Sequence, residues 1–258
     1  MVDTQYQTYL ADVLRDVGLT VVEEPGWKTR TQPSNGRDYT PIGILNHHTA
    51  PPNPYPVDRL YTKCNLFIAT DGTVHVVAAG YQWDSGSGSI DVLRQVQAQT
   101  HPGRLAKDQD FTSSPTSGNP YFIDIEVDHP GDGSHLNQAQ FDALVKCDFA
   151  ILRHRGWPVQ QVLGHAEWTS RKTDPRWDGS WQPMPTVRAA VQALLEEDMA
   201  RFKDVPPTHP NYDDIEWLAA EGITKGINPP DNDLFGPNEV VTRRQLAAFL
   251  RRFAKTLS

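Results

Sequence analysis

The chain has 258 residues and a formal net charge of −8 at pH 7, and 38% of its residues are hydrophobic. This length allows one large domain or two unequal ones. The acidic balance argues against nucleic acid as a partner, because proteins that bind nucleic acid usually present a strongly basic surface. The two cysteines, Cys64 and Cys147, are too few for a disulfide scaffold, and we expect buried thiols, with a disulfide as the alternative.

No run of apolar residues approaches the length of a membrane span, which needs about 20 residues, so we expect no membrane partner. The first residues, MVDTQYQTYLADVLRDVG, lack the basic and then apolar pattern of a secretory signal. These features predict a soluble protein made in the cytoplasm. If its substrate lies outside the membrane, such a protein needs a separate route out of the cell.

The N-terminal part of the chain is predicted to alternate helices and strands. Apolar residues at helical spacing predict a helix over residues 5–17, and LTVVEEPGW predicts a short strand after it. The apolar run IGILNHHTA predicts a buried strand that ends at His47 and His48. In CNLFIATDGTVHVVAAG, two β-rich runs flank the favoured turn dipeptide Asp71-Gly72, which predicts a hairpin.

This alternation continues to about residue 200. The predicted elements are a long Ser-, Gly- and Gln-rich connection at 81–119 with a weak helical patch at 90–98, a strand at 121–128, a helix at 137–155 capped by Asn137, a short strand ending at His165, and a helix at 185–202. The interleaving predicts an α/β domain over residues 1–200, with a mixed central β-sheet flanked by helices.

Residues 201–258 have a different pattern and predict a small C-terminal α-helical module. Two helices are expected, at about 211–221 and 242–255, separated by a loop rich in Gly, Pro and Asn. Thr242 is the predicted cap of the second helix. The apolar face of this second helix consists of Leu246, Phe249, Leu250 and Phe253. A module of this size is marginally stable alone.

Candidate metal ligands lie on two distant segments. His165 and Asp174 lie in LGHAEWTSRKTDPRWDG, and a further imidazole comes from His47 or His48. Adjacent residues of a strand point to opposite faces, so only one of these two histidines can share a metal with the distant loop. Two imidazoles and a carboxylate suit a zinc site with one open position, although manganese and iron stay possible. Alternatively, Asp174 only initiates a turn before a proline.

The strand IDIEVD supplies a candidate acid. Period-2 alternation places Asp124, Glu126 and Asp128 on one face and the apolar residues on the other. An acid in such a run is either a charge at the sheet edge or a functional group. Lys172, in the loop of Asp174, is either a solvated charge or a cation beside the site.

Taken in order and spacing, ILNHHTA, CNLFIATDGTVHVV, IDIEVD and LGHAEWTSRKTDP resemble the amidase-2 family of N-acetylmuramoyl-L-alanine amidases, over roughly residues 20 to 195. The resemblance implies Zn²⁺ held by His47, His165 and Asp174. It further implies that Glu126 acts on the attacking water and that Lys172 lies near the developing oxyanion. Candidate contacts to peptidoglycan are Asn65, Trp83 and His129, for which ordinary packing or an exposed surface position is the alternative. His48 is a further candidate, either as a pocket residue or as a partner of a metal ligand.

The C-terminal segments FKDV, HPNYDDIEWLAAEGITKG and LFGPNEVVTRRQLAAFLRR resemble one S-layer homology module. Such modules bind secondary cell-wall polymers, and the best-matched positions here are Trp217, Thr242 and Arg243. Family members commonly carry three copies, whereas this chain has one. The alternative is a packing appendage or a dimer contact.

Three functions are consistent with these resemblances. The first is a phage endolysin that degrades intact walls and reaches them through a holin pore. The second is a cytosolic amidase that recycles soluble muropeptides, and the third is a recognition protein without catalysis. The wall-type module favours the first, and the full set of ligands with Glu126 and Lys172 argues against the third.

Overall fold

The computed structural model describes residues 6–51, 53–109, 115–180, 183–227, 229 and 231–256, without the side chain of residue 199. The chain divides into two compact units, residues 1–192 and 193–258. The functional division predicted at residue 200 stays a prediction. Residue 5, where the first helix was predicted to begin, lies outside the described residues.

The strands, all in the first unit, are β1 (Val21–Glu23), β2 (Gly43–His48), β3 (Leu66–Ile68), β4 (Val74–Val76), β5 (Ser87–Ser89), β6 (Pro115–Ser117), β7 (Phe122–Val127) and β8 (Val162–Gly164). The α-helices are α1 (Leu10–Asp16), α2 (Ile90–Gln97), α3 (Gln138–Arg155), α4 (His165–Trp168), α5 (Met184–Met199), α6 (Tyr212–Ala220) and α7 (Arg243–Thr256). None of the described helices is both long and apolar enough to cross a membrane.

Six strands form the central sheet in the order β1-β4-β3-β7-β2-β8. The pair β3–β4 is antiparallel, and each of the other neighbouring pairs in this sheet is parallel. The antiparallel pair is the hairpin predicted at Asp71-Gly72. The structure therefore confirms a mixed central sheet flanked by helices.

The two faces of β2 contact different parts of the unit. Leu45 belongs to a core cluster with residues of α2 and with Trp168 of α4. On the opposite face, the Asn46 side chain donates to Asp148 of α3, with an N–O distance of 3.1 Å. In the parallel register Leu45 faces Asp124 and His47 faces Glu126, so these residues share the face that carries α2 and α4.

Helix ends follow local rules that the sequence already contains. The Asn137 side chain accepts a hydrogen bond from the backbone N–H of Gln140 and caps α3, as predicted. The predicted strand before His165 ends one residue earlier, because the Glu167 carboxylate accepts from the Gly164 N–H and begins α4 there. Arg188 binds both oxygens of Glu167 and fixes this helix start.

The predicted long connection at 81–119 contains more regular structure than expected. Helix α2 occupies the helical patch, and β5 and β6 form a separate antiparallel ribbon. These strands have three residues each and are built from Ser, Gly, Pro and Thr, so no apolar alternation marks them. Both Cys64 and Cys147 are buried free thiols, as expected.

The second unit has a small core made by Phe202, Val205, Ile215 and Ala219. Thr242 caps α7 as predicted, since its hydroxyl accepts from the Gln245 N–H while its own N–H donates to the Gln245 side chain. No described residue of α7 is buried, and Leu250 on its predicted apolar face is 59% exposed.

Candidate functional site

The candidate site lies at the carboxyl ends of parallel strands, where ligands of open α/β sheets bind. His47 is near the end of β2 and pairs in register with Glu126 of β7. On the other side of β2, Asn46 pairs with Gly164, the last residue of β8, and His165 follows directly. The strand order therefore brings three segments that are far apart in sequence to one edge.

His47, His165 and Asp174 meet at this edge. Their ligand atoms all lie within 4.8 Å of one another. The Nδ1 atoms of His47 and His165 are 3.1 and 3.0 Å from Oδ2 of Asp174. The two imidazole rings cross at 76°, with 4.4 Å between their centroids. The backbone carbonyl of Asp174 accepts from the Ala166 N–H, which ties the loop of the carboxylate to α4.

His48 lies away from this cluster. Its Nδ1 accepts a hydrogen bond from the backbone N–H of Arg176 at 3.0 Å. Its ring also packs against Gly131, where a Cβ would overlap the imidazole, and the φ of +69° at this residue favours glycine as well. Burial lowers the pKa of His48 to about 4. The structure therefore brings His47, and not His48, to the two distant ligands.

Three carboxylates surround His47 besides Asp174. Asp124 and Glu126 extend from the same face of β7, and Asp84 approaches from the connection before β5. His47, Asp84 and Glu126 also form a group whose ligand atoms lie within 4.8 Å of one another. Among the described residues, one oxygen of each of these three carboxylates is buried without a hydrogen-bond partner.

Sequence reasoning missed Asp84 entirely. It lies in the Ser- and Gly-rich connection, where no alternation or helical spacing singles out a residue. Alternation along β7 places Asp124 on the face of Glu126, but the sequence alone assigns Asp124 no role. The signal for Asp124 was present, since residues two apart on a strand share a face.

The acidic surroundings shift the pKa values of the site in a consistent direction. Burial lowers the pKa of His47, but the nearby carboxylates of Asp84, Asp124 and Asp174 outweigh it and raise this pKa well above its ordinary value. Burial and the charge of Asp84 raise the pKa of Glu126. The site therefore favours positive charge near His47, and the same surroundings disfavour the ionised form of Glu126.

Asp174 responds differently. Burial alone would raise the pKa of its carboxyl group, but hydrogen bonds with His165 and His47 hold the pKa far below its ordinary range. Burial and the positive charge of His47 lower the pKa of His165. Asp174 is therefore ionised and His165 is biased toward its neutral form, which are the states required of metal ligands.

The donor set of His47, His165 and Asp174 fits zinc. Two imidazole nitrogens and one carboxylate oxygen are a known ligand set for catalytic zinc. The two histidines are buried and Asp174 is partly buried, and the surrounding acids favour a cation there. The other group, with Asp84 and Glu126, includes the predicted acid–base residue, which makes the first set the stronger candidate for a metal site.

Lys172 lies in the loop between His165 and Asp174. Its side chain is exposed, and its positive charge contributes to the lowered pKa of His165. A cavity of about 530 Å³ lies along the same loop, and positively charged side chains form part of its wall. Its lining includes Ser87, Gly88, Lys107, Trp168, Ser170 and Arg171. A cavity of this volume is large enough for a small-molecule or peptide ligand.

Two of the predicted substrate contacts, Asn65 and His129, have side chains that form hydrogen bonds within the protein. Asn65 is fully buried, and its amide donates to the carbonyls of Ala78 and Gly80. Its oxygen accepts from the Tyr39 hydroxyl and the Asp124 N–H, so no hydrogen-bonding position is left for a substrate. These hydrogen bonds connect the hairpin that carries Asn65 to β7.

His129 is also committed to the protein itself. It is buried, its Nδ1 accepts from the Gly131 N–H, and its Nε2 lies 3.2 Å from the Ser134 hydroxyl. Trp83, by contrast, is 47% exposed and donates its indole N–H to the Pro33 carbonyl. Substrate contact by Asn65, His129, Trp83 and His48 stays a prediction.

The residues predicted to bind cell-wall polymer lie on α6 and at the start of α7. Trp217 is 48% exposed, and its ring contacts Phe253 edge-to-face at 6.3 Å between centroids. Thr242 is committed to capping α7, and Arg243 is exposed. Polymer binding by these residues stays a prediction.

A family model described as N-acetylmuramoyl-L-alanine amidase matches residues 37–177, more than half of the chain. A second model, described as the S-layer homology domain, matches residues 201–247. No curated protein is a significant match to the chain.

Several solved structures are similar at low sequence identity. The endolysin N-acetylmuramoyl-L-alanine amidase LysCS from Clostridium intestinale is 16% identical with a TM-score of 0.42, and the match covers 67% of this chain and 95% of that one. AmpDh3 from Pseudomonas aeruginosa is 16% identical with a TM-score of 0.43, over 89% and 87% of the two chains. The amidase AmiD from E. coli, solved with an anhydro-N-acetylmuramic acid peptide substrate, is 16% identical with a TM-score of 0.42, over 90% and 86%.

Proposed function

Because the chain belongs to the N-acetylmuramoyl-L-alanine amidase family, we propose that it is a zinc-dependent enzyme that hydrolyses the amide bond between N-acetylmuramic acid and L-alanine in bacterial peptidoglycan. The observation that carries the proposal is the convergence of His47, His165 and Asp174 beside Glu126. A protein that only binds peptidoglycan has no need for this complete set.

Zinc in such a site supplies Lewis acidity and lowers the pKa of a water to about 7. Glu126 takes a proton from the attacking water while the water oxygen bonds to the carbonyl carbon of the lactyl group. It then gives this proton to the nitrogen of L-alanine as the carbon–nitrogen bond breaks. Burial and the charge of Asp84 raise the pKa of Glu126, and a raised pKa suits a carboxyl group that first accepts and then donates a proton.

Lys172 has a separate role in the proposed mechanism. Its ammonium group stabilises the negative charge that develops on the carbonyl oxygen, and the exposed side chain is free to reach a substrate in the site. The cavity beside the same loop, with Lys107 and Arg171 in its wall, suits the carboxylates of a stem peptide.

We further propose that the second unit directs the enzyme to intact walls by binding secondary cell-wall polymer. The match to the S-layer homology domain supports this assignment and favours an endolysin over an enzyme that recycles soluble muropeptides. In this proposal the protein is made in the cytoplasm of an infected host, reaches the wall through a holin pore and causes lysis.

The proposal is tested with purified protein on whole sacculi and on soluble muropeptides. We expect about one zinc per chain and new N-terminal L-alanine from sacculi, without new reducing-end sugars. Activity confined to soluble muropeptides would favour the recycling enzyme. Binding to sacculi without any release of alanine would favour a recognition protein and overturn the proposed catalysis.

A further inference from the structure

The two ring nitrogens of His47 face different carboxylates. Nδ1 lies 3.1 Å from Oδ2 of Asp174, whereas Nε2 lies 3.1 Å from Oδ1 of Asp124. Both His47 and Asp124 are fully buried. A hydrogen bond from Nε2–H to Asp124 leaves Nδ1 as the nitrogen that can bind a metal.

Asp124 is itself held from two directions. The Ser85 hydroxyl donates to its Oδ1 at 2.6 Å, so this oxygen accepts from both Ser85 and His47. The Asp124 backbone N–H donates to the side-chain oxygen of Asn65 at 3.0 Å. Ser85 therefore fixes the carboxylate of Asp124, and Asn65 fixes the backbone of the strand that carries it.

The connection that carries Ser85 is anchored to the second metal-binding segment. The Trp168 indole N–H donates to the Ser85 carbonyl at 2.9 Å, and Trp168 ends the helix that His165 begins. The indole packs directly on Gly88, where a Cβ would overlap the ring. A continuous set of contacts thus links His47 through Asp124 and Ser85 to the helix of His165.

We propose that Asp124 is a positioning residue that fixes the orientation of the His47 imidazole and directs its Nδ1 to the metal. This inference rests on the proposed function, in which His47 is a zinc ligand. A histidine that binds a metal almost always donates its other N–H to a carboxylate, a carbonyl or a water. Loss of such a partner typically weakens metal binding by about 10- to 100-fold.

The chain offers a matched control in Asp148. This carboxylate is fully buried like Asp124 and accepts a hydrogen bond from Asn46, the neighbour of His47, but it lies on the opposite face of the sheet. Asp148→Asn therefore makes the same chemical change at the same depth without touching the His47 ring. Any effect shared by the two variants reflects the fold rather than the positioning of His47.

The experiment measures zinc affinity by competition with a chelator for the full-length protein and for Asp124→Asn, Asp124→Ala and Asp148→Asn. The hydrogen-bonded ring N–H of His47 is followed by ¹⁵N–¹H NMR, because a merely structural role for Asp124 would not shift this signal selectively. We expect about 10-fold weaker zinc binding for Asp124→Asn, up to about 100-fold for Asp124→Ala, and no change for Asp148→Asn. The ring N–H signal should be lost in Asp124→Ala and retained in Asp148→Asn.

The outcomes separate this inference from the proposed function. If the unsubstituted protein binds zinc and both Asp124 variants bind it equally well, the positioning role is wrong and the metal site stands. Equal weakening in Asp148→Asn would also overturn the positioning role. If the unsubstituted protein binds no zinc, the proposed metal site itself falls, and the positioning role falls with it.

Discussion

The first unit buries charged groups at one edge of its sheet, whereas the second unit exposes aromatic and aliphatic side chains. His47 and Asp124 are fully buried, while Trp217 is 48% and Leu250 is 59% exposed. Burying a charge is costly unless it is paired or bound to a metal, so a cluster of buried acids indicates a site for a cation. An exposed apolar side chain costs little, and a group of them indicates a recognition surface. The difference is consistent with the proposed chemistry in the first unit and the proposed attachment through the second.

The largest expected effect comes from removing a ligand in the first unit. His47→Ala and His165→Ala should lose bound zinc and with it wall lysis, because the remaining two donors cannot hold the ion. The measurement is the metal content of purified protein, which should fall from about one zinc per chain to near zero.

His48→Ala is the matched control for His47→Ala, since the two histidines are neighbours on β2 and only His47 faces the cluster. The His48→Ala variant should keep about one zinc per chain. Loss of zinc in His48→Ala and retention in His47→Ala would reverse the assignment of the ligand.

The next largest effect separates chemistry from metal binding. Glu126→Ala should reduce the rate of alanine release by about 10²- to 10⁴-fold, the usual contribution of a general acid–base group. Lys172→Ala should reduce it by about 10²- to 10³-fold through loss of oxyanion stabilisation. Both variants should keep about one zinc per chain, and Lys63→Ala, another exposed lysine, should behave like the unsubstituted protein. Full activity in both variants would refute the assigned roles.

A smaller effect is expected when the surface of the second unit is changed. Trp217→Ala in the full chain should weaken pull-down on cell walls by about 10-fold, which corresponds to about 1.4 kcal/mol, because exposed aromatic residues often dominate such contacts. Hydrolysis of soluble muropeptides should stay unchanged. Lys255→Ala, on the exposed part of α7, serves as the control. Unchanged pull-down by Trp217→Ala would favour a packing role for this module.

Periodicity and capping rules predicted the elements that carry the site. The apolar run of β2, the Asp71-Gly72 turn and the Asn137 cap each depend on neighbouring residues, so local sequence was sufficient. The candidate ligand set came from the family resemblance, because the spacing of the combined motifs is specific. By contrast, the strand order places Asp124 beside His47, and pairing between residues this far apart leaves no local pattern.

Asp84 and the ribbon of β5 and β6 were missed for a related reason. Their segment is rich in Ser and Gly, and its conformation depends on packing against Trp168 rather than on its own periodicity.

The exposed face of α7 shows the opposite case. Its helical spacing predicted the helix and its cap correctly, but an apolar face predicted from spacing does not establish what covers it.

The smallest effect on function is expected at Asp148, which tests whether every buried acidic residue in the first unit belongs to the site. Burial raises the pKa of Asp148 to about 8, and no candidate ligand contacts it. The folded protein holds this proton up to about pH 8, whereas the unfolded chain releases it near pH 4, so the free energy of unfolding should fall between these values. Asp148→Asn should remove this fall and raise the free energy of unfolding at pH 8 by about 1–3 kcal/mol, with little change at pH 4. Urea denaturation at the two pH values measures the difference. A loss of zinc or of activity in this variant would mean that the site extends through β2 to the opposite face of the sheet, whereas unchanged activity would confine it to the face of His47.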